Sequence, residues 1–165
     1  MFTIPKLRCE RLNLRAFCRD DWPNFLAMMQ SSRAKFMGGP LDLYGAWGMF
    51  CHETALWRLM GHGGLAIELS DTGNVAGMVD INAGPLFPEP ELGWFLYDYA
   101  EGNGYASEAA ALLKDWARKS IRLPSLVSYI DEENRASIQV ARRLDGRLDP
   151  HAEREDPTDL VYRYW

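Results

Sequence analysis

Residues 91–110 read ELGWFLYDYAEGNGYASEAA, and this stretch decides the fold. Its first part, ELGWFLY, is rich in the aromatic and branched side chains of a strand. Gly102 and Gly104 then mark a turn, and apolar residues recur at helical spacing from Gly104 to about Lys119. A helix that starts directly after a strand presents its free N–H groups at one point, where they favour an anion such as phosphate. A plain strand-to-helix turn explains the two glycines equally well, so both interpretations stay open.

The rest of the chain alternates predicted strands and helices around this stretch. Upstream, the patterns predict strands at 11–17, 65–70 and 75–82, and helices at about 20–32 and 46–60. Downstream, they predict strands at 125–130 and 159–165, a helix at 133–144, and a short extra strand near 147–148. This order predicts an α/β (α+β) protein in which helices pack on a central, largely antiparallel sheet. A length of 165 residues fits one domain over 1–165.

The composition argues against several classes of partner. The formal net charge is -5 and the basic residues form no dense stripe, so we expect no nucleic-acid partner. No apolar run approaches the roughly 20 residues that a membrane span needs. The three cysteines lack short paired spacing, and the three histidines match no ligand motif. We therefore expect a cytoplasmic protein without a metal and without a membrane partner.

Two segments carry a resemblance to a known family. LGWFLYDYAEGNGYASEAAALLKDWA (92–117) and SYIDEENRASIQVARRLDGRLD (128–149) resemble the acetyl-coenzyme A binding core of the GNAT N-acetyltransferases. ERLNLRAFCRDDW (10–22) resembles the first strand and helix of the RimJ/RimL-like branch, the ribosomal-protein N-terminal acetyltransferases. The resemblance covers nearly the whole chain. It implies the GNAT fold, with a mixed, mostly antiparallel sheet that splays apart between its fourth and fifth predicted strands.

The resemblance also implies a set of cofactor-binding residues. The family's phosphate loop, Gln/Arg-x-x-Gly-x-Gly/Ala, falls on Glu101, Gly104 and Ala106, and the family's N-x-x-S pattern falls on Asn134 and Ser137. In the family, backbone N–H groups of this loop bind the diphosphate of coenzyme A, and the asparagine bonds the pantetheine arm. The implied acetyl-coenzyme A site comprises Phe95, Leu96, Tyr97, Gly102, Asn103, Gly104, Tyr105, Ala106, Asn134 and Ser137. For Asn134, helix capping is the alternative interpretation.

The chain departs from the family pattern at three positions. Glu101 replaces the first loop residue, and a carboxylate there would repel phosphate, so we expect it to face solvent. Ala141 stands where many members have the tyrosine that protonates the departing thiolate. Asp145 stands where the family has a helix-ending glycine, and aspartate tolerates the left-handed conformation that this position needs.

Acetyl transfer to an amine needs a proton acceptor and, optionally, an acid for the thiolate. Glu91 is the leading candidate base, since the resemblance places an acidic residue at the start of this strand. A structural ion pair is the alternative role for Glu91, and Glu89, Asp80 and His52 are weaker candidate bases. Tyr129, Ser137 or water would serve as the acid.

Several functions are compatible with the sequence. The leading hypothesis is an enzyme that transfers an acetyl group from acetyl-coenzyme A to a primary amine, either a protein N-terminus or a small molecule, by direct attack in a ternary complex. A non-catalytic acyl-coenzyme A sensing domain is the alternative, and a nucleotide-binding regulatory domain is a third. The sequence leaves a homodimer open and does not identify the acceptor.

Overall fold

The computed structural model describes residues 3–165. The strands are β1 (Leu7–Arg8), β2 (Leu12–Arg15), β3 (Leu65–Leu69), β4 (Val75–Asn82), β5 (Glu91–Leu96), β6 (Val127–Asp131), β7 (Arg147–Leu148) and β8 (Asp159–Arg163). The helices are α1 (Trp22–Met29), α2 (Leu43–Met60), α3 (Tyr105–Trp116) and α4 (Arg135–Arg143). Short 3-10 turns lie at Arg19–Asp21, Ser32–Met37 and Asp98–Ala100, and a π-helical turn at Ala117–Ile121 continues α3.

All the strands belong to one eight-stranded sheet with the order β1-β2-β3-β4-β5-β6-β8-β7. Each neighbouring pair is antiparallel except β5 and β6, which run parallel. The mixed α/β class and the mostly antiparallel sheet that the sequence predicts are therefore confirmed. The short β1 was not predicted, because two residues are too few to show a periodic pattern.

Hydrophobic clusters cover both faces of the sheet. On one face, Leu92 and Val79 join a cluster that contains Ala109 and Leu113 of α3. On the other face, Phe95 and Met78 pack in a second cluster with Phe25 of α1 and Phe50 of α2. Successive strand residues alternate between the two faces, so Asp80, Asn82, Glu91 and Gly93 share the face of Met78 and Phe95. This arrangement turns the polar ends of β4 and β5 toward α2.

The sheet opens between β5 and β6. The two strands share one registered pair across the described chain, Glu91 with Val127, whereas β4 and β5 pair over six positions from Gly77–Leu96 to Asn82–Glu91. The predicted splay between these strands is therefore confirmed. Beyond Glu91, β5 directs alternate backbone groups into a gap that no strand fills within residues 3–165.

Candidate functional site

The glycine-rich loop enters α3 through two residues in the left-handed conformation. Gly102 has φ +77° and Gly104 has φ +80°, and no atom lies within 4 Å of an ideal Cβ placed on Gly102. The first backbone hydrogen bond of the helix joins the Glu108 N–H to the Gly104 carbonyl at 3.1 Å. The N–H groups of residues 105–107 consequently point out of the helix start, where the positive end of the helix dipole favours an anion.

Ser107 adds a polar group to the same helix turn. Its Oγ atom is buried and has no hydrogen-bond partner in the described part of the chain. A buried hydroxyl without a partner is uncommon in folded proteins. Ser107 was not predicted as a site residue, although it directly follows Ala106 of the loop pattern.

Arg33 forms an ion pair with Glu101, the acidic residue at the first position of the loop pattern. Its guanidinium donates to the Glu101 carboxylate, to Asp98 Oδ1 at 3.2 Å and to the Leu96 carbonyl at 3.1 Å. The Glu101 side chain is 55% exposed, so it is turned to solvent and also paired with a cation. The sequence did not indicate this partner, because 68 residues separate Arg33 from Glu101.

Arg11 contacts both the loop and the first turn of α3. Its Nη2 atom donates to the Asn103 carbonyl at 3.1 Å, and its guanidinium forms an ion pair with Glu108 at 2.6 Å. The guanidinium carbon lies 4.9 Å from the centre of the Tyr105 ring. Two arginines that are distant in sequence therefore flank the glycine-rich loop.

The open gap along β5 contains the other residues expected to bind cofactor. The side chains of Phe95 and Tyr97 pack in the core, and Phe95 pairs with Met78 of β4. The Tyr97 N–H donates to the Ala76 carbonyl at 2.8 Å and the Tyr97 carbonyl accepts from the Ala100 N–H at 2.9 Å, so the backbone of Tyr97 is engaged within the protein and does not support its expected role in cofactor binding. Asn134 Oδ1 accepts a hydrogen bond from the Ser137 N–H at 3.2 Å and thereby caps α4. Asn134 and Ser137 both line the cavity described next.

A cavity of about 350 Å³ lies at the closed end of this gap. Six acidic residues line it: Glu53, Asp80, Glu91, Asp131, Glu155 and Asp159. Its apolar wall includes Phe36, Met37, Met49, Leu86, Phe87 and Pro88. No lysine, arginine or histidine is among the lining residues in the described range. The proline-rich loop after β4 therefore shapes the mouth of an acidic cavity.

Burial raises the pKa of three of these carboxyl groups. It raises the pKa of Glu91 to about 8, with a further contribution from the charge of Asp80. It raises the pKa of Asp80 to about 7, while a hydrogen bond from the Asn82 side chain at 2.5 Å opposes the increase. Burial and the neighbouring Asp80 and Glu91 hold the pKa of Glu53 well above its usual value. Carboxyls that titrate near neutral pH suit proton transfer.

The other candidate bases and acids differ from Glu91 in their partners or in their distance from the cavity. Glu89 receives two hydrogen bonds from Arg163, at 2.8 and 2.7 Å, and these bonds lower the pKa of Glu89. His52 lies on α2 and is not among the cavity-lining residues. Tyr129 lines the cavity, and its hydroxyl accepts a hydrogen bond from the Glu89 N–H at 3.2 Å. Ala141 is fully buried.

The described residues contain no group of three or more histidine, cysteine, aspartate or glutamate side chains arranged to hold a metal ion. Across residues 3–165, no helix has the length and apolar character needed to cross a lipid bilayer.

Comparison with known proteins gives a consistent result. A family model described as an acetyltransferase (GNAT) domain matches residues 11–147. The solved acetyltransferase from Agrobacterium tumefaciens str. C58 is 53% identical, with a TM-score of 0.96 over 100% of this chain and 96% of that chain. A putative ribosomal-protein-serine acetyltransferase from Vibrio cholerae is 21% identical, with a TM-score of 0.74 over 99% and 98% of the two chains. Spermidine N-acetyltransferase from Vibrio cholerae, solved with CoA and spermine, is 13% identical, with a TM-score of 0.71 over 92% of each chain.

Proposed function

The chain belongs to the GNAT acetyltransferase family, and from that premise we propose that it transfers an acetyl group from acetyl-coenzyme A to a primary amine in a ternary complex. One observation carries the proposal. Glu91, a carboxyl with a raised pKa, lies at the single registered pair where β5 and β6 diverge, so the strand gap and the acidic cavity meet at this residue.

The residues of the loop and the gap fit coenzyme A. An anionic diphosphate would accept hydrogen bonds from the N–H groups of Tyr105 and Ala106 and from the Ser107 hydroxyl, which has no partner within residues 3–165. Gly102, Asn103 and Gly104 would let it approach closely, since a side chain at either glycine would occupy that space. The Leu96 N–H, which strand alternation turns away from β4 and toward the gap, and the Asn134 carboxamide would hold the pantetheine arm in the manner of an added strand.

When bound, acetyl-coenzyme A supplies an activated acetyl thioester. We assign Glu91 as the base that accepts a proton from the amine nitrogen, directly or through one water. A base with a pKa of about 8 combines adequate basicity with a useful unprotonated fraction near neutral pH. The neutral nitrogen then attacks the carbonyl carbon, the C–N bond forms, and the C–S bond breaks. The nitrogen gives up a second proton, which replaces the proton that the departing sulfur receives.

Tyr129 and Ser137 are our proposed proton donors to the departing sulfur. Both line the cavity, and the buried Ala141 offers no acidic group. A thiol pKa of about 8.5 makes the thiolate a tolerable leaving group, so the contribution of either donor should be modest.

The acceptor is either a protein N-terminus or a small-molecule amine. The RimJ/RimL-like resemblance and the name of the putative ribosomal-protein-serine acetyltransferase favour the first class. The spermidine N-acetyltransferase bound to CoA and spermine represents the second class on the same fold. We further propose that residues 1–165 act as one domain in the cytoplasm; a homodimer remains compatible with this function.

Calorimetry and a thiol-release assay test the proposal. We expect acetyl-coenzyme A to bind, and we expect free thiol to appear in proportion to acetylated product over a panel of amines and N-terminal peptides. Binding without turnover on any acceptor would refute the enzyme and favour a sensing domain. Effective competition by ATP or a dinucleotide against coenzyme A would instead indicate a nucleotide-binding domain.

A further inference from the structure

We propose that the carboxyl pair of Glu53 and Asp80 binds the ammonium group of the acceptor, and that the acceptor is a primary amine with an apolar body and no carboxylate beside the amine. The inference rests on the proposed function and deepens it, because it names the acceptor class and the residues that select it. Glu91 remains the proton acceptor, and Glu53 and Asp80 bind and orient the amine.

The geometry of the two carboxyls points to a ligand. Glu53 of α2 is 3% exposed and Asp80 of β4 is 2% exposed, and both line the cavity. Glu53 Oε2 and Asp80 Oδ1 are buried and have no hydrogen-bond partner among the residues that the structure describes. Buried carboxylate oxygens require donors, and a primary ammonium group supplies three N–H donors from one atom.

Two glycines leave space for these oxygens. An ideal Cβ on Gly64 would lie 2.9 Å from Glu53 Oε2, and one on Gly93 would overlap Asp80 Oδ1. Any side chain at either position would therefore displace a carboxyl group. The lack of a side chain at Gly64 and Gly93 therefore leaves room for both carboxyl groups.

The charges around the pair favour a cation. The charge of Asp80 helps to raise the pKa of Glu53, so the two carboxyls lie close together and a cation placed between them would relieve their mutual repulsion. Glu91 lies close enough to raise the pKa of Glu53, and Asp159 of β8 adds negative charge near Glu91. Tyr129 and Tyr164 also face Glu91 and are neutral in this range, since burial raises both of their pKa values.

The same charges disfavour an anionic acceptor. A carboxylate next to the reacting amine would enter a cavity with six acidic residues and no basic residue among the described lining. Phe36, Met37, Met49 and Leu86 provide apolar surface for the rest of the acceptor. Together these features select a hydrophobic amine over a free amino acid.

Three matched acceptors test the selection. 2-Phenylethylamine, L-phenylalaninamide and L-phenylalanine share one aromatic body, and only the last carries a carboxylate. We expect kcat/KM for the amine and for the amide to exceed that for the amino acid by at least tenfold. Equal use of L-phenylalanine would overturn the proposed acceptor class, and poor use of both the amide and the amino acid would indicate steric exclusion and overturn it as well.

The variant Glu53→Gln tests the pair itself. We expect KM for 2-phenylethylamine to rise at least tenfold while kcat changes less than threefold, with the affinity for acetyl-coenzyme A unchanged. Arg58→Gln, an exposed change on the same helix, is the matched control and should leave both constants unchanged. A Glu53→Gln protein with the wild-type KM would overturn the assignment.

A binding measurement separates this inference from the enzyme proposal. Calorimetry of 2-phenylethylamine with the wild-type protein in complex with coenzyme A requires no turnover. We expect binding that weakens at least tenfold in Glu53→Gln, whose fold is checked by its melting temperature and its coenzyme A affinity. No detectable amine binding to the wild type would overturn the ammonium site, whereas binding without acetylation would refute only the enzyme proposal.

Discussion

Arg33 forms an ion pair with Glu101 at the entrance to the glycine-rich loop. Arg33 lies in the turn Ser32–Met37 before α2, so the fold places its positive charge beside Glu101. The family pattern has Gln or Arg at this position, whereas here the cation beside the loop is Arg33, which lies 68 residues away in the sequence. Arg33 also binds the carbonyl of Leu96, which ties it to the end of β5.

Replacing Arg33 by alanine should weaken the binding of acetyl-coenzyme A about tenfold, or about 1.4 kcal/mol, because Glu101 would then repel the diphosphate. Titration calorimetry measures the effect. The double variant Arg33→Ala/Glu101→Gln should recover part of the loss. Lys35→Ala in the same turn is the control and should bind normally, and normal binding by Arg33→Ala would contradict this role of Arg33.

Replacing Gly104 by valine should weaken coenzyme A binding at least tenfold. A β-branched side chain at φ +80° is strained and would fill the space above the helix start. Gly73→Val provides a matched control, since Gly73 has φ +75° in the β3–β4 turn, away from the loop. Calorimetry should show the loss only in Gly104→Val; an equal loss in both proteins would indicate a general effect of backbone strain.

Replacing Glu91 by glutamine should lower kcat about 100-fold and leave acetyl-coenzyme A affinity unchanged, since general bases contribute roughly 10²–10⁴-fold. The wild-type kcat should rise as the pH passes about 8, where Glu91 loses its proton, and this increase should be absent from the variant. Rate measurements at saturating amine from pH 6 to 9.5 provide the check. A variant that keeps the wild-type pH profile would exclude Glu91 as the base.

Stability should fall as the pH rises from 7 to 9. The folded pKa of Glu91, about 8, lies above its unfolded value, so the folded state binds more protons in this range and stability is lost as that proton leaves. The loss from this group is about 1.4 kcal/mol, or a decrease in melting temperature of about 3–5 °C. Glu91→Gln should show a smaller decrease by calorimetry of the ligand-free protein, and an identical pH dependence in both proteins would contradict the assignment.

Local patterns in the sequence predicted the fold because each element carries its own signal. The glycine turn before α3, the capping Asn134 and the left-handed Asp145, which has φ +61°, all follow from residue chemistry within a few positions. The helix predicted from Ala46 begins at Leu43, since Asp42 caps it by accepting a hydrogen bond from the Gly45 N–H at 2.7 Å.

Long-range contacts could not be predicted in the same way. Arg33 meets Glu101 only after the chain folds, and no local pattern pairs them. Glu53 did carry a signal that the sequence analysis missed: it lies between Phe50 and Leu56 at helical spacing on the buried face of α2. A charged residue within an apolar stripe indicates a buried carboxyl that needs a partner or a function.

The single registered pair between Glu91 and Val127 has a mechanical consequence. Within residues 3–165, β6 pairs with β5 at this position alone, and the remaining links are made by side chains, such as Arg163 with Glu89 and Lys114 with the Leu144 carbonyl. A molecule lying in the gap would add contacts to both strands where they do not pair with each other, so amide hydrogen exchange in β6 and β8 should slow when the gap is occupied.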